Sequence, residues 1–263
     1  MTTTTAAVRC ERLGKRFLIL RSERTALRAV RSLIGGEPLR REMWVLRELS
    51  LEIPRGAKVA LLGRNGSGKT TLLRIVAGIL EPTCGRIAVR GVPRPLFSAE
   101  VGFMIELSVV ENVFLFGAVH GMDRRALRPR LPEILRTTGL EALAHVPLKD
   151  LSTGQIQRLA LAVFAESDSD LVILDEVIGN VDHGFLRAAD RYFRALAASD
   201  RTVIMTSHDT SFLRAYCSSA LWIESGSVRM HGPFEPVVRE YEASFDAEMP
   251  AFLDGESAPT AAR

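Results

Sequence analysis

Eight consecutive residues, Gly63-Arg64-Asn65-Gly66-Ser67-Gly68-Lys69-Thr70, satisfy the pattern GxxxxGK[ST] at every fixed position. They follow an apolar strand, Val59–Leu62, and precede a helix-like TTLLRIVAG, the context such a loop needs to hold a phosphate. Glycines let successive backbone N–H groups converge on phosphate oxygens without a Cβ in the way. The positive end of the following helix adds favourable potential for an anion. In this frame Gly63, Asn65, Gly66, Ser67, Gly68 and Thr71 line a cradle for the phosphates of a nucleotide. Lys69 reaches the β- and γ-phosphates, and the Thr70 hydroxyl coordinates Mg2+. A Gly-rich turn without function is the alternative, and the strand and helix on either side argue against it.

A second stretch supplies carboxylates. Leu171-Val172-Ile173-Leu174 reads as a buried strand, and Asp175 and Glu176 emerge at its C-terminal end, where α/β sheets bind ligands. Asp175 is placed to hold Mg2+, directly or through water. Glu176 is placed to polarise the water that attacks the γ-phosphate. A strand ending in two solvated acids is common on its own; the upstream cradle gives this one its weight. Between the two lies Leu151-Ser152-Thr153-Gly154-Gln155-Ile156-Gln157-Arg158, followed by LALAVFAE. Ser152 and Gly154 open that helix and offer a hydroxyl and a free N–H to an anion, as other capped helices do. Met205-Thr206-Ser207-His208-Asp209 follows another strand, where a lone histidine is more often structural.

Taken in order, these stretches resemble the motifs of ATP-binding-cassette (ABC) ATPases over residues 7–243. The segment from Ser152 resembles the family signature, 23 residues before Asp175; Asp182 matches a dimer-contact loop, and His208 the switch histidine. The resemblance implies a P-loop NTPase core of ABC type, an α/β fold with a mostly parallel sheet, an antiparallel β part and a helical signature subdomain. It implies two copies packed head to tail, each ATP lying between the cradle of one and Ser152, Gly154 and Gln155 of the other. Lys69, Glu176 and His208 are then the catalytic set. Phe17 aligns with the aromatic that stacks on adenine, with Trp44 a rival and an ordinary core residue the plain alternative.

Finer details resemble the subgroup that exports polysaccharides: O-antigen, capsule and teichoic acid. DEVIGNVDHGF lacks the Pro-Thr that usually follows the catalytic glutamate, and Thr153 stands where most cassettes have glycine. GFMIELSVVENVFLFGAVHGM and ALWIESGSVRMHGPFEPVVREY are similar to that subgroup too. The resemblance implies an ATP-hydrolysing exporter subunit on the cytoplasmic face of the inner membrane, bound to an integral-membrane transporter subunit that moves a lipid-linked glycan. The alternatives are a drug or lipid exporter ATPase and a soluble cassette acting on ribosomes or DNA. One departure concerns the loop expected to contact Mg2+ and the membrane partner: it carries Ser98 where a glutamine or glutamate is expected, with Glu100 nearby. Either the register shifts and Glu100 serves, or Ser98 stands there and the contact is weakened.

The elements that must position these residues follow from patterning. Residues 1–17 read as a first strand ending at Phe17, and a strand pattern resumes at Trp44 through VLRELSLEI. Between them, 18–43 is a basic insert: six arginines from Arg21 to Arg41 against Glu23 and Glu37. Leu27, Val30 and Ile34 give it one apolar helical face, ended by Gly35-Gly36. Such a helix can lie on anionic lipid or pack apolar-side-in on the domain. Residues 107–150 read as helical, with breaks at Gly121, Pro129 and Pro132. The helical subdomain is expected over about 104–165. Segments 171–175, 202–206 and 220–224 suit buried parallel strands. The domain is expected over 1–244, and residues 245–263 read as a loose tail.

Composition sets outer limits. The chain has 263 residues, 47% hydrophobic and 25% charged, enough for a sizeable core. Apolar runs such as Leu171–Leu174 are far shorter than the roughly 18–20 residues of a membrane span. MTTTTAAVRCERLGKRF lacks the order of a secretory signal. Net charge is only +3, but four lysines among 34 basic residues leave 30 arginines. Genomic base composition accounts for that bias better than a nucleic-acid surface, so no nucleic acid is expected. Cys10, Cys84 and Cys217 lack metal-site spacing and read as reduced thiols.

Overall fold

The computed structural model describes residues 6–20, 40–97, 102–176 and 183–246. Two sheets form. The first is antiparallel, in the order β2-β1-β4, from β1 (Ala6–Leu20), β2 (Arg40–Pro54) and β4 (Cys84–Val89). The second has the order β5-β6-β7-β3-β8-β9, from β3 (Lys58–Leu62), β5 (Pro93–Leu96), β6 (Leu171–Asp175), β7 (Thr202–Thr206), β8 (Ser219–Glu224) and β9 (Ser227–Pro233). All its pairs are parallel except β8 with β9.

Side-chain alternation along these strands builds two cores. Val59 and Leu61 of β3 face one way, with Leu171, Ile173, Ile204, Leu221 and Ile223. They meet the antiparallel sheet through Leu13, Leu46 and Leu49, and α1 (Lys69–Val76) fills the space with Leu72, Leu73, Ile75 and Val76. Ala60 and Leu62 face the other way, with Val172, Leu174, Val203 and Met205. That side is covered by helices: α2 (Val109–Val119), α3 (Arg124–Leu127), α4 (Leu131–Thr138), α5 (Thr153–Ala165), α6 (His183–Ala198), α7 (Thr210–Tyr216) and α8 (Phe234–Asp246). Strands buried on both faces are mostly apolar, which is why β6 and β7 carry the unbroken runs Leu171–Leu174 and Val203–Met205, with polar residues only at their ends.

Some boundaries differ from the sequence reading. β1 continues through Leu20 and β2 begins at Arg40, so the first strand does not end at Phe17 nor the second start at Trp44. Leu18, Ile19 and Leu20 are strand formers that pair with Glu42, Arg41 and Arg40, and Arg16 ties across to Glu42 at 2.6 Å. The helix expected within the basic insert lies outside the described residues. Pro129 sits in a single 3-10 turn, and Pro132 lies in the first turn of α4, where a missing N–H leaves no bond unmade. Pro132 therefore starts a helix rather than breaking one. α8 runs through Asp246, past the expected end at 244, because Tyr241 and Phe245 have aromatic and cationic neighbours to pack on. The rest of the expected tail lies outside the described residues.

Cys10, Cys84 and Cys217 are free thiols, and burial pushes those of Cys10 and Cys217 up to about 12. Among the described residues no helix is long and apolar enough to cross a membrane.

Candidate functional site

The phosphate loop joins β3 to α1, and its shape demands particular residues. Gly68 caps α1 at φ 107°, a conformation L side chains rarely adopt, and a Cβ there would press on Leu46 and the Val45 carbonyl. At Gly63 (φ 149°) a Cβ would collide with the Ile223 carbonyl and the Ser67 hydroxyl. The loop is braced from outside: Gly226, in the β8–β9 turn, donates its N–H to the Ser67 carbonyl at 3.1 Å. Asn65 and Gly66 face outward, and Thr71 is half-buried.

Three features of this loop suit an anion and a hard cation. Ser67 is buried, and its Oγ has no hydrogen-bond partner among the described residues, an unmet donor inside the cradle. Lys69 Nζ folds back on its own loop, donating to the Gly63 carbonyl at 2.5 Å and the Arg64 carbonyl at 3.3 Å. Burial pushes its pKa below the usual lysine value, and the carboxylates of Glu176 and Asp175 oppose that shift. A phosphate would give the ammonium a better partner than two carbonyls. Thr70 Oγ1 donates to Asp175 Oδ2 at 2.8 Å, so a hydroxyl and a carboxylate from chain positions 105 residues apart meet at one point. Two hard oxygen donors suit magnesium, which takes few protein ligands and completes its shell with water and phosphate oxygens. Among the described residues no cluster of three or more His, Cys, Asp or Glu competes for a metal.

Opposite the loop, β6 and β7 deliver the acids and the histidine. Asp175 is 7% exposed, and its Oδ1 accepts a 2.6 Å hydrogen bond from Thr206 Oγ1. The same Thr206 oxygen accepts from the Glu176 backbone N–H at 2.9 Å. Glu176 sits at φ 53°, a left-handed conformation that turns its side chain out of the strand line. Its Oε1 lies 3.1 Å from His208 Nε2. Gly63, Lys69, Glu176 and His208 all line one cleft of about 240 Å3. The cleft thus holds a cation, a carboxylate and an imidazole within reach of one oxyanion.

Other expected site residues lie elsewhere. Ser152 caps α5 in a reciprocal box: Gln155 N–H donates to Ser152 Oγ at 3.3 Å, and Ser152 N–H to Gln155 Oε1 at 2.9 Å. Gly154, in the first turn of α5, has open space where a Cβ would stand. None of these three lines the cleft that holds Lys69. Phe17 is half-buried with Lys15 Nζ 5.3 Å from its ring centre, whereas Trp44 is 37% exposed beneath Arg16. Asp182, Ser98 and Glu100 lie outside the described residues.

Residues 46–179 match the family profile described as ABC transporter. The chain belongs to the ABC transporter family. Over 210 residues it is 33% identical to the O-antigen export system ATP-binding protein RfbB of Myxococcus xanthus, covering 79% of this chain and 48% of that one. Over 243 residues it is 28% identical to the teichoic acids export ATP-binding protein TagH of Lactococcus lactis subsp. lactis, covering 92% and 52%. The chain therefore spans about half the length of these two curated relatives. Its fold is similar to a dimeric ATP-binding cassette solved in a post-hydrolysis state with ADP and Pi, at a TM-score of 0.67 and 20% identity, covering 87% and 99%.

Within this ABC-family site, sequence reasoning missed Thr206. Its role rests on the β6–β7 register, which sets Asp175 opposite Thr206. A hydroxyl residue at the end of a central strand, two positions before His208, was the available signal. Tyr241, Glu242 and Phe245 of α8 also line the cleft and were missed. Their signal was the helical spacing of Phe234, Val237, Val238, Tyr241 and Phe245.

Proposed function

We propose that this chain is the ATP-hydrolysing subunit of an exporter that moves a lipid-linked polysaccharide across the cytoplasmic membrane. The observation that carries the hydrolytic part is the convergence of Lys69, Thr70, Asp175, Glu176 and His208 at the C-terminal ends of β3, β6 and β7. The names of the O-antigen and teichoic acid export relatives support the polysaccharide class. In this reading Lys69 leaves its loop carbonyls for the β- and γ-phosphates, and the Ser67 hydroxyl finds its missing partner there. Thr70 and Asp175 hold magnesium, which when bound neutralises charge on the phosphate oxygens. Glu176 takes the proton from the attacking water, and His208 contacts the γ-phosphate while steadying the glutamate. The chemistry is phosphoryl transfer to water, so positioning and charge stabilisation carry most of the rate.

Ser152, Gly154 and Gln155 do not line the cleft of Lys69, and in this reading a second copy packed head to tail, with Asp182 at the contact, brings them to the nucleotide. Phe17 is the residue we assign to adenine stacking. Magnesium, the integral-membrane partner, the glycan and the cytoplasmic-face location belong to the same proposal.

The test is to purify tagged Glu176→Gln from native membranes with ATP and analyse what accompanies it. We expect a stoichiometric multi-span membrane protein and a dimer that binds ATP but turns it over about 10²–10⁴-fold more slowly, about 3–5 kcal/mol of barrier. Wild-type turnover in that variant removes Glu176 from the mechanism. Recovery with ribosomes, nucleic acid or no partner removes export.

A further inference from the structure

The first turns of α8 belong to the core, where Phe234, Val237 and Val238 are buried. Its last turns have a different setting. Tyr241, Glu242 and Phe245 form part of the wall of the cleft that also holds Gly63, Lys69, Glu176 and His208. Tyr241 packs edge-on between Trp222 and Phe245, with ring centres 5.6 and 5.0 Å away. Burial raises the pKa of its phenol, and the Gly63 backbone and the Arg64 charge oppose that rise. The Arg64 guanidinium lies 5.3 Å from the Phe245 ring centre. On the other wall Thr210 Oγ1 donates to Glu242 Oε1 at 2.9 Å.

Gly63 and Arg64 open the phosphate loop, and Thr210 starts α7 two residues after His208. One helix therefore grips both walls of the cleft. We propose that α8 is a strap across the nucleotide cleft, with Phe245 and Glu242 as positioning residues that fix the phosphate loop relative to the histidine loop. This rests on the ATPase reading above.

The site needs such a strap. Ser67 is anchored by Gly226, and Lys69 bonds back to the Gly63 and Arg64 carbonyls, bonds it must give up to meet a phosphate. His208 is 69% exposed along its side chain, so its position depends on how the segment that carries it is tethered. Displacements of about 1 Å in such constellations cost about 10²-fold in rate.

The strap predicts a split between binding and turnover. Phe245→Leu keeps an apolar side chain but removes the ring beside Arg64. It should weaken binding of a fluorescent ATP analogue about two- to fivefold, the scale of one exposed cation–π contact, with little change in melting temperature. Glu242→Ala frees the histidine side and should lower kcat about three- to tenfold while the analogue's Kd stays near wild type. Glu242→Gln keeps an acceptor for Thr210 and should restore kcat. All are measured on the full chain by titration, steady-state phosphate release and thermal melting.

If the wild-type chain binds and hydrolyses ATP while Phe245→Leu and Glu242→Ala leave Kd and kcat unchanged, the strap is wrong. It is equally wrong if both variants lose activity only in step with a lowered melting temperature, or if Glu242→Gln is as impaired as Glu242→Ala. If the wild-type chain binds no nucleotide, the ATPase reading falls and takes the strap with it.

Discussion

Replacing Thr206 with valine should impair the site more than its shape suggests. Valine keeps the volume and the strand preference but removes one oxygen. That oxygen donates to Asp175 Oδ1 at 2.6 Å and accepts from the Glu176 N–H at 2.9 Å. The first bond is charge-assisted and buried, worth about 1.5–3 kcal/mol. The second loss is smaller, about 0.5–1 kcal/mol, because the Glu176 N–H retains the Thr206 carbonyl at 3.3 Å. Glu176 also holds a left-handed backbone conformation that costs about 1–2 kcal/mol for an L residue, and Thr206 helps keep it there. If about 2–3 kcal/mol of this is expressed in the transition state, kcat/KM falls about 30- to 150-fold. The assay is steady-state phosphate release across a magnesium titration, since a loosened Asp175 should also raise the magnesium required. Thr206→Ser keeps the hydroxyl and should stay within about threefold of wild type. A Thr206→Val protein with wild-type kcat/KM and magnesium dependence would refute the reasoning.

Two further predictions concern groups that support the fold. Lys58 is 6% exposed and donates to the carbonyls of Gly56, Ser199 and Arg201 at 2.8, 2.7 and 2.7 Å. Lys58→Met strips all three of their donor and should cost about 3 kcal/mol or more in urea unfolding. His120 packs between Phe116 and Phe164, and burial with the nearby Arg94 charge holds its pKa down at about 4 against an ordinary 6.5. Between those values the unfolded chain binds the extra proton. The contribution is therefore complete above pH 6.5 and is lost as pH falls towards 4, up to about 3 kcal/mol. His120→Phe should flatten that part of the stability–pH profile, measured by unfolding at pH 7 and pH 4.5.

What the sequence revealed divides along physical lines. The phosphate loop is legible because its chemistry is contiguous: eight residues carry the glycines, the lysine and the hydroxyl. β6 and β7 are legible because the middle of a strand buried on both faces is apolar. Thr206 is not, because its work depends on which strand lies beside β6 and in what register. The strap residues are hidden in another way. The spacing of Tyr241 and Phe245 predicts a buried helix face but not that the face ends at the nucleotide cleft. Pro132 misleads because proline breaks a helix interior but suits its first turn, and only the position of the start tells them apart. The limits of β1 and β2 were misplaced because Arg40, Arg41 and Glu42 look like part of a solvated basic segment until β1 pairs with them.

The order of strands in the parallel sheet also bears on how the protein is made. β7 lies between β3 and β6, yet both neighbours precede it in the chain. On a ribosome the phosphate loop emerges first and the aspartate about a hundred residues later. Until Thr206 follows, β3 and β6 share no strand and Thr70 has no fixed route to Asp175. Pairings this distant in sequence form slowly and leave open edges while they wait. The nucleotide site is thus among the last features to be completed during synthesis. A chain arrested before residue 202 would carry every residue of the loop and still lack the strand that joins it to its carboxylate.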